Sequence, residues 1–186
     1  MKRLIVLILT LALLASTLVL ASCAGQSEDE AKQIAGDLME RAYVLNEAYY
    51  GKGLPCDENE HVEGDYYYVS ESAPIRVRND LIVETKAVFS NAIASSLISV
   101  YLDGTSNMGV VVFARYITGP SGYLTVYKDY ENVVENVTKY DTSTIEITKN
   151  SKNKIIFSIK TTDGAKSAEV TLIRENDSWK INSPTY

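Results

Sequence analysis

Between residues 28 and 49 apolar side chains recur every three or four positions, at Ala31, Ile34, Ala35, Leu38, Ala42, Leu45 and Tyr49, which is the stripe of an amphipathic helix. Ser27 and Glu30 ahead of it fit a capping box, the serine hydroxyl meeting the Glu30 amide and the glutamate reaching back. Gly51 and Gly53 stop the pattern. The next stretch, "LPCDENEHVEGD" at residues 54–65, combines proline, glycine and many acids and is expected to be an exposed loop. Tyr66-Tyr67-Tyr68-Val69 is a short run of strand formers. After Pro74 helical spacing returns through Leu81, Ile82, Val88, Phe89, Ile93, Leu97, Ile98 and Tyr101. Asn79 is the expected cap of that region, and Ser90 a second cap that divides it into two helices.

Beyond Gly104 the period changes to two. Strands are expected at 109–117, 122–128, 143–149, 153–161, 166–174 and 178–182, separated by turns such as Gly119-Pro120-Ser121-Gly122 and Glu175-Asn176-Asp177. Short links between successive strands imply antiparallel pairing. The expected class is therefore α+β, with N-terminal helices packed on a curved antiparallel β-sheet. Along the last strands Ile145, Ile147, Ile155, Phe157, Ile159, Val170, Leu172 and Trp179 share faces, while Glu146, Lys154, Lys160, Glu169 and Lys180 take the alternate positions. The inner face reads as dry, and a catalytic site on it would lack titratable groups.

The N-terminal stretch changes the picture of where the chain resides. Lys2 and Arg3 precede an uncharged apolar run from Leu4 to Ala21, the layout of a secretory leader. Leu20-Ala21-Ser22-Cys23 then resembles the lipobox of bacterial lipoproteins, in which the cysteine thiol receives a diacylglyceryl group, with acyl chains of the palmitate class, and a peptidase cuts before it. The resemblance implies a signal peptide at residues 1–22, a lipidated N-terminus and short spacer at residues 23–27, and a single α+β domain at residues 28–186. It also implies lipid attachment at Cys23 and a place on the extracytoplasmic face of the cell membrane. Two acyl chains give stable anchoring where one does not.

Removing Lys2 and Arg3 with the leader takes the formal net charge from −6 to −8, which argues against a nucleic-acid partner and against direct adhesion to anionic lipid headgroups. The remaining length suffices for one domain with a sizeable core. With Cys23 lipidated, Cys56 has no disulfide partner and reads as a half-buried, inert thiol.

The order of elements resembles the NTF2-like, or cystatin-like, superfamily, in which a long N-terminal helix and further helices cradle a bent antiparallel sheet. The most motif-like segment is the final hairpin "AEVTLIRENDSWKINSPTY", residues 168–186, similar to the C-terminus of such domains in small lipoproteins of Gram-positive bacteria. That superfamily includes isomerases and dehydratases as well as non-catalytic binding domains. The N-terminal helix, the Tyr66 to Tyr68 strand and the helices after it also resemble secreted inhibitors of cell-wall DL-endopeptidases.

Chemistry-bearing residues are few. His61, the single histidine, lies in the acidic loop, where carboxylates favour its charged form over that of a general base. Isomerase chemistry of the ketosteroid type needs an inward carboxylate opposite a Tyr/Asp donor pair, and no Asp matches on the inner strands. Within 57–65, Asp57 and Asn59 match the first and third ligands of a calcium loop, but His61 and Val62 occupy the fifth position and the glycine position. No Gly-rich phosphate loop, paired-cysteine metal site or nucleophile elbow is present.

Thirteen tyrosines against three phenylalanines is the compositional anomaly. A tyrosine buries a ring and keeps one hydrogen-bonding end, a property favoured at interfaces. The expectation is a non-catalytic binding domain for a protein, peptide or wall fragment, needing no cofactor and no metal. Tyr66, Tyr68, Tyr116, Tyr123 and Tyr127 form the expected patch, with Tyr116 and Tyr123 brought together across the turn at residues 119–122. A small-molecule isomerase or dehydratase, or an endopeptidase inhibitor, is the alternative.

Overall fold

The computed structural model describes residues 25–186 except 63, 108–109, 131–133 and 135; the leader, the lipobox and Cys23 lie outside the described residues. Helix α1, Glu28–Tyr49, follows the expected stripe, burying Ala31, Ala35, Leu38, Met39, Ala42, Leu45, Ala48 and Tyr49. Its cap is half of the expected box: Ser27 Oγ accepts from Glu30 N at 3.2 Å. The Glu30 carboxylate instead takes the Gln26 amide, oriented with its nitrogen toward it, at 2.9 Å. Glu28, Asp29 and Glu30 in the first turn complement the helix dipole, and no basic residue lies in the last turn to do the same there.

Strand β1, Cys56–His61, replaces part of the loop expected at 54–65. It pairs antiparallel with β2, Tyr66–Val69, through Cys56↔Val69 and His61↔Tyr67, with an irregular register between. Acids are poor strand formers, so the pairing comes from the partner rather than from local preference. As an edge strand, β1 can carry charges that discourage further pairing.

The second helical region divides where expected, into α2, Arg78–Val88, and α3, Asn91–Ile98. Asn79 is not a cap, because α2 begins one residue earlier with Val77 at the cap position. Ser90 occupies the cap position of α3, but its hydroxyl is buried without a partner. The capping acceptor is Glu175, whose Oε2 takes the Asn91 amide at 2.9 Å. Lys180 Nζ donates to Ala87 O, near the end of α2, at 2.7 Å, and Ser90 N donates to Ile181 O at 2.9 Å. The last hairpin thus finishes the facing ends of two helices.

A π-helical turn, Ser99–Asp103, leads to a two-stranded ribbon of β3, Thr105–Asn107, and β4, Val110–Val112. The single strand expected at 109–117 is split: β4 belongs to the ribbon, whereas β5, Tyr116–Thr118, pairs with β6, Leu124–Tyr127. The remaining strands are β7, Tyr140–Ser151; β8, Lys154–Thr161; β9, Ser167–Glu175; and β10, Ser178–Ile181. Asn176 and Asp177 take positive φ of 48° and 61°, the backbone of a tight two-residue hairpin turn.

The fold is α+β as expected, with helices packed on antiparallel strands, but the strands divide into two four-stranded sheets, ordered β1-β2-β6-β5 and β10-β9-β8-β7, beside the ribbon. Ile155, Phe157, Ile159, Val170, Leu172 and Ile181 are fully buried on the second sheet, so its inner face is as dry as the alternation implies. Residues of α1, α2, α3 and both sheets share one apolar cluster.

Candidate binding clefts

The register of the first sheet sorts the five tyrosines expected to bind. Directly paired residues share a face, and the pairs Tyr66↔Tyr127, Tyr68↔Thr125 and Ile117↔Thr125 place Tyr66, Tyr68 and Tyr127 together on one side. Tyr67↔Val126 and Tyr116↔Val126 place Tyr116 on the other. Tyr116 therefore leaves the patch: it is fully buried, its hydroxyl donating to Ala48 O at 2.7 Å and accepting from Leu54 N at 2.9 Å. Nor do Tyr116 and Tyr123 meet across the turn. The pair Thr118↔Leu124 sets the hairpin so that Tyr123 alternates onto the opposite face, where it is 42% exposed.

On that outer face Tyr68 and Tyr123 line a cleft of about 330 Å³ together with Asp57, Ser70, Glu71 and Arg76. The Arg76 guanidinium lies 4.4 Å over the Tyr123 ring, a cation–π arrangement, and Glu71 Oε1 stands 3.8 Å from it. Leu124 N donates to Arg76 O at 2.8 Å, which ties the arginine's segment to β6. Gly119 packs closely on Tyr68: a Cβ there would lie 2.9 Å from the tyrosine ring and 2.8 Å from Thr125 Cγ2. Tyr66 and Tyr127 flank the cleft, half-buried with ring centroids 5.4 Å apart. The Tyr66 hydroxyl is engaged by Ala114 O at 2.6 Å. Arg76 carried no sequence signal of its own; the bond from Leu124 N and the contact with the Tyr123 ring bring it to the site.

The other expected candidates are placed as follows. His61 is exposed at the end of β1, its ring 5.4 Å from that of Tyr67. Asp57 Oδ1 accepts from Asn59 N at 2.9 Å and from Asn59 Nδ2 at 3.2 Å. Among the described residues no three of His, Cys, Asp and Glu converge on one point. Cys56 is a half-buried free thiol.

Most of the tyrosine excess lies elsewhere. Tyr49, Tyr50, Tyr101, Tyr130 and Tyr186 form a chain of ring contacts with centroids 4.0 to 5.6 Å apart. Beside it Arg115, 1% exposed, donates to Tyr49 O at 2.8 Å and to Gly51 O at 2.6 Å. Arg115 and Tyr116 together satisfy the last carbonyls of α1 and place a positive charge at its negative end. Burial raises four of the phenols here: Tyr101 and Tyr116 are pushed up to about 12, and Tyr49 and Tyr50 are also raised.

A second cleft, of about 270 Å³, lies between α1 and the start of β7, lined by Met39, Glu40, Tyr43, Asn46, Lys139 and Tyr140 among others. Asn46 is held there by Nδ2 donating to Thr185 O at 2.8 Å, and Glu40 is exposed at its rim. No signal in the sequence joins residues 40 and 140. No protein-family model matches this chain, nor does any curated protein sequence.

Proposed function

We propose that the protein is a lipoprotein of the cell envelope, attached through Cys23, whose domain is a non-catalytic binding module for a protein, a peptide or a wall fragment. The observation that carries this reading is the Tyr68–Tyr123–Arg76 cleft: two rings, one guanidinium and two carboxylates gathered on an open sheet face. Rigid aromatic side chains bind at low entropic cost, and tyrosine and arginine are the residue types that dominate binding energy at interfaces. An isomerase- or dehydratase-like activity is the weaker reading, since the buried polar side chains among the described residues include neither a carboxylate nor an imidazole and Glu40, at the cleft between α1 and β7, is exposed.

The test is crosslinking on intact cells that produce the lipidated protein, followed by recovery of the bound partner, with sedimentation on isolated cell wall as the arm for a wall fragment. Tyr123→Ala and Arg76→Ala are expected to lower recovery at least tenfold with unchanged circular dichroism. Unchanged recovery removes the cleft from the binding surface. A membrane fraction in which residue 23 carries no acyl chain removes the lipoprotein reading.

A further inference from the structure

The cleft of about 270 Å³ between α1 and the start of β7 contains a buried polar pair whose bonding capacity is only half spent. Asn46 and Thr185 both line it, and each is 2% exposed. Asn46 Nδ2 donates to Thr185 O at 2.8 Å and to Thr185 Oγ1 at 3.0 Å, which fixes the amide with its nitrogen toward Thr185 and its oxygen turned away. Among the described residues no donor meets that Oδ1. The Thr185 hydroxyl, having accepted from Asn46, keeps its own hydrogen to donate. Buried polar groups are costly to leave unpaired, so an acceptor and a donor side by side at a cleft are complementary to a ligand group that offers both.

The rest of the lining says which ligand. Met39 is buried and Tyr140 half-buried, so part of the wall is apolar and aromatic. Glu40, on α1, and Lys139, just before β7, are exposed, with Lys139 Nζ held 5.4 Å from the centroid of the Tyr43 ring. Neither forms an ion pair with a described residue. A charged ligand would gain from one of them and lose to the other, whereas a hydroxyl both donates and accepts and suits each. We propose that this cleft binds a neutral N-acetylated amino sugar. Its acetamide N–H donates to Asn46 Oδ1 and its acetamide oxygen accepts from the Thr185 hydroxyl; the pyranose ring lies on Tyr140 and Met39, and its hydroxyls are shared between Glu40 and Lys139. A peptide amide offers the same donor and acceptor but not the hydroxyls, and a volume just under the usual range of ligand pockets suits one ring-sized unit rather than a chain. The site is separate from the Tyr68–Tyr123 cleft and does not depend on lipid attachment.

The experiment is saturation-transfer difference NMR on the full chain in phosphocholine micelles, with N-acetylglucosamine, glucose and N-acetylalanine methylamide as probes. The acetyl methyl of N-acetylglucosamine is expected to receive the strongest transfer, several-fold above glucose, because a site that hydrogen-bonds an amide rejects an analogue that lacks it. Thr185→Val is expected to lower that signal several-fold. Since Thr185 is buried, the exposed Glu40→Ala is the second variant, expected to lower the signal with unchanged circular dichroism, and Tyr123→Ala is expected to leave it as it is. No transfer to N-acetylglucosamine, transfer equal to that of glucose, or a signal indifferent to both Thr185→Val and Glu40→Ala overturns the site. Equal or stronger transfer to N-acetylalanine methylamide overturns the sugar and assigns the polar pair to a peptide amide. A signal lost in Tyr123→Ala overturns the placement and moves the sugar to the other cleft.

Discussion

The two four-stranded sheets are held together by different physics. The sheet β10-β9-β8-β7 is three hairpins in sequence, with long strands and an inner face of Ile, Phe, Val and Leu. The sheet β1-β2-β6-β5 joins two hairpins from either side of both short helices, through strands of three to six residues. It is fastened to α1 by polar groups, Tyr116 and Arg115, buried against helix carbonyls. The first kind of sheet is stabilised in proportion to the apolar area it buries. The second depends on a few bonds whose loss leaves buried groups unsatisfied, and its outer face is left free to carry Tyr68 and Tyr123.

Phe157→Ala is expected to have the largest effect, about 3–5 kcal/mol of lost stability by urea unfolding, because a fully buried ring leaves a cavity in the dry face. Arg115→Met comes next at about 2–3 kcal/mol, from Tyr49 O and Gly51 O left without donors. A neutral or stabilising outcome would break the comparison, since it would mean that apolar packing also suffices at the end of α1. Tyr116→Phe, which strips the partner from Ala48 O and Leu54 N, is expected to cost about 1–2 kcal/mol and to raise amide exchange in β5 and β6 more than in β7 to β9.

Alkaline pH sharpens the same contrast. The Tyr116 hydroxyl, ordinarily near 10.0, is pushed up to about 12 by burial. The folded chain therefore holds its proton more tightly than the unfolded one, and this contribution to stability is whole below pH 10 and is lost as pH rises through 12. Unfolding followed by tyrosinate absorbance should show that loss, and Tyr116→Phe should reduce it. The smallest effect on stability belongs to Tyr123→Ala, within about 0.5 kcal/mol for an exposed ring, although that variant is among those expected to lower partner recovery at least tenfold. A large loss of stability there would mean that the outer face is structural as well.

The same division decides what was legible in the sequence. Helix α1 and the hairpins from β7 to β10 were readable because their signals are local: a three-four stripe with a serine cap, and period-two runs separated by turn residues. In the first sheet β2 and β6 were readable as strand runs, but β1 and the pairing that assembles the sheet were not. β1 is hidden in an acid-rich stretch because its strand character comes from pairing with β2, and Tyr116 and Tyr123 look equivalent until the register puts them on opposite faces. Arg76 and Arg115 have neighbours in space that no spacing in the chain announces. Lys180 and Glu169 both read as outward charges, yet Lys180 is drawn onto Ala87 O, and burial followed by the nearby Arg41 charge lowers its pKa.

The junction between α2 and α3 has a consequence for how the chain matures. Its amide and carbonyl ends are finished by Glu175, Lys180 and Ile181, contributed from 84 to 93 residues downstream. Contacts of such separation form late, because the loop they close must be paid in entropy first. A chain emerging N-terminus first carries both helices with ragged, unclosed ends until the last hairpin arrives, and then gains three fastenings in one step. A chain cut before residue 175 would keep the helical sequences and lose the latch.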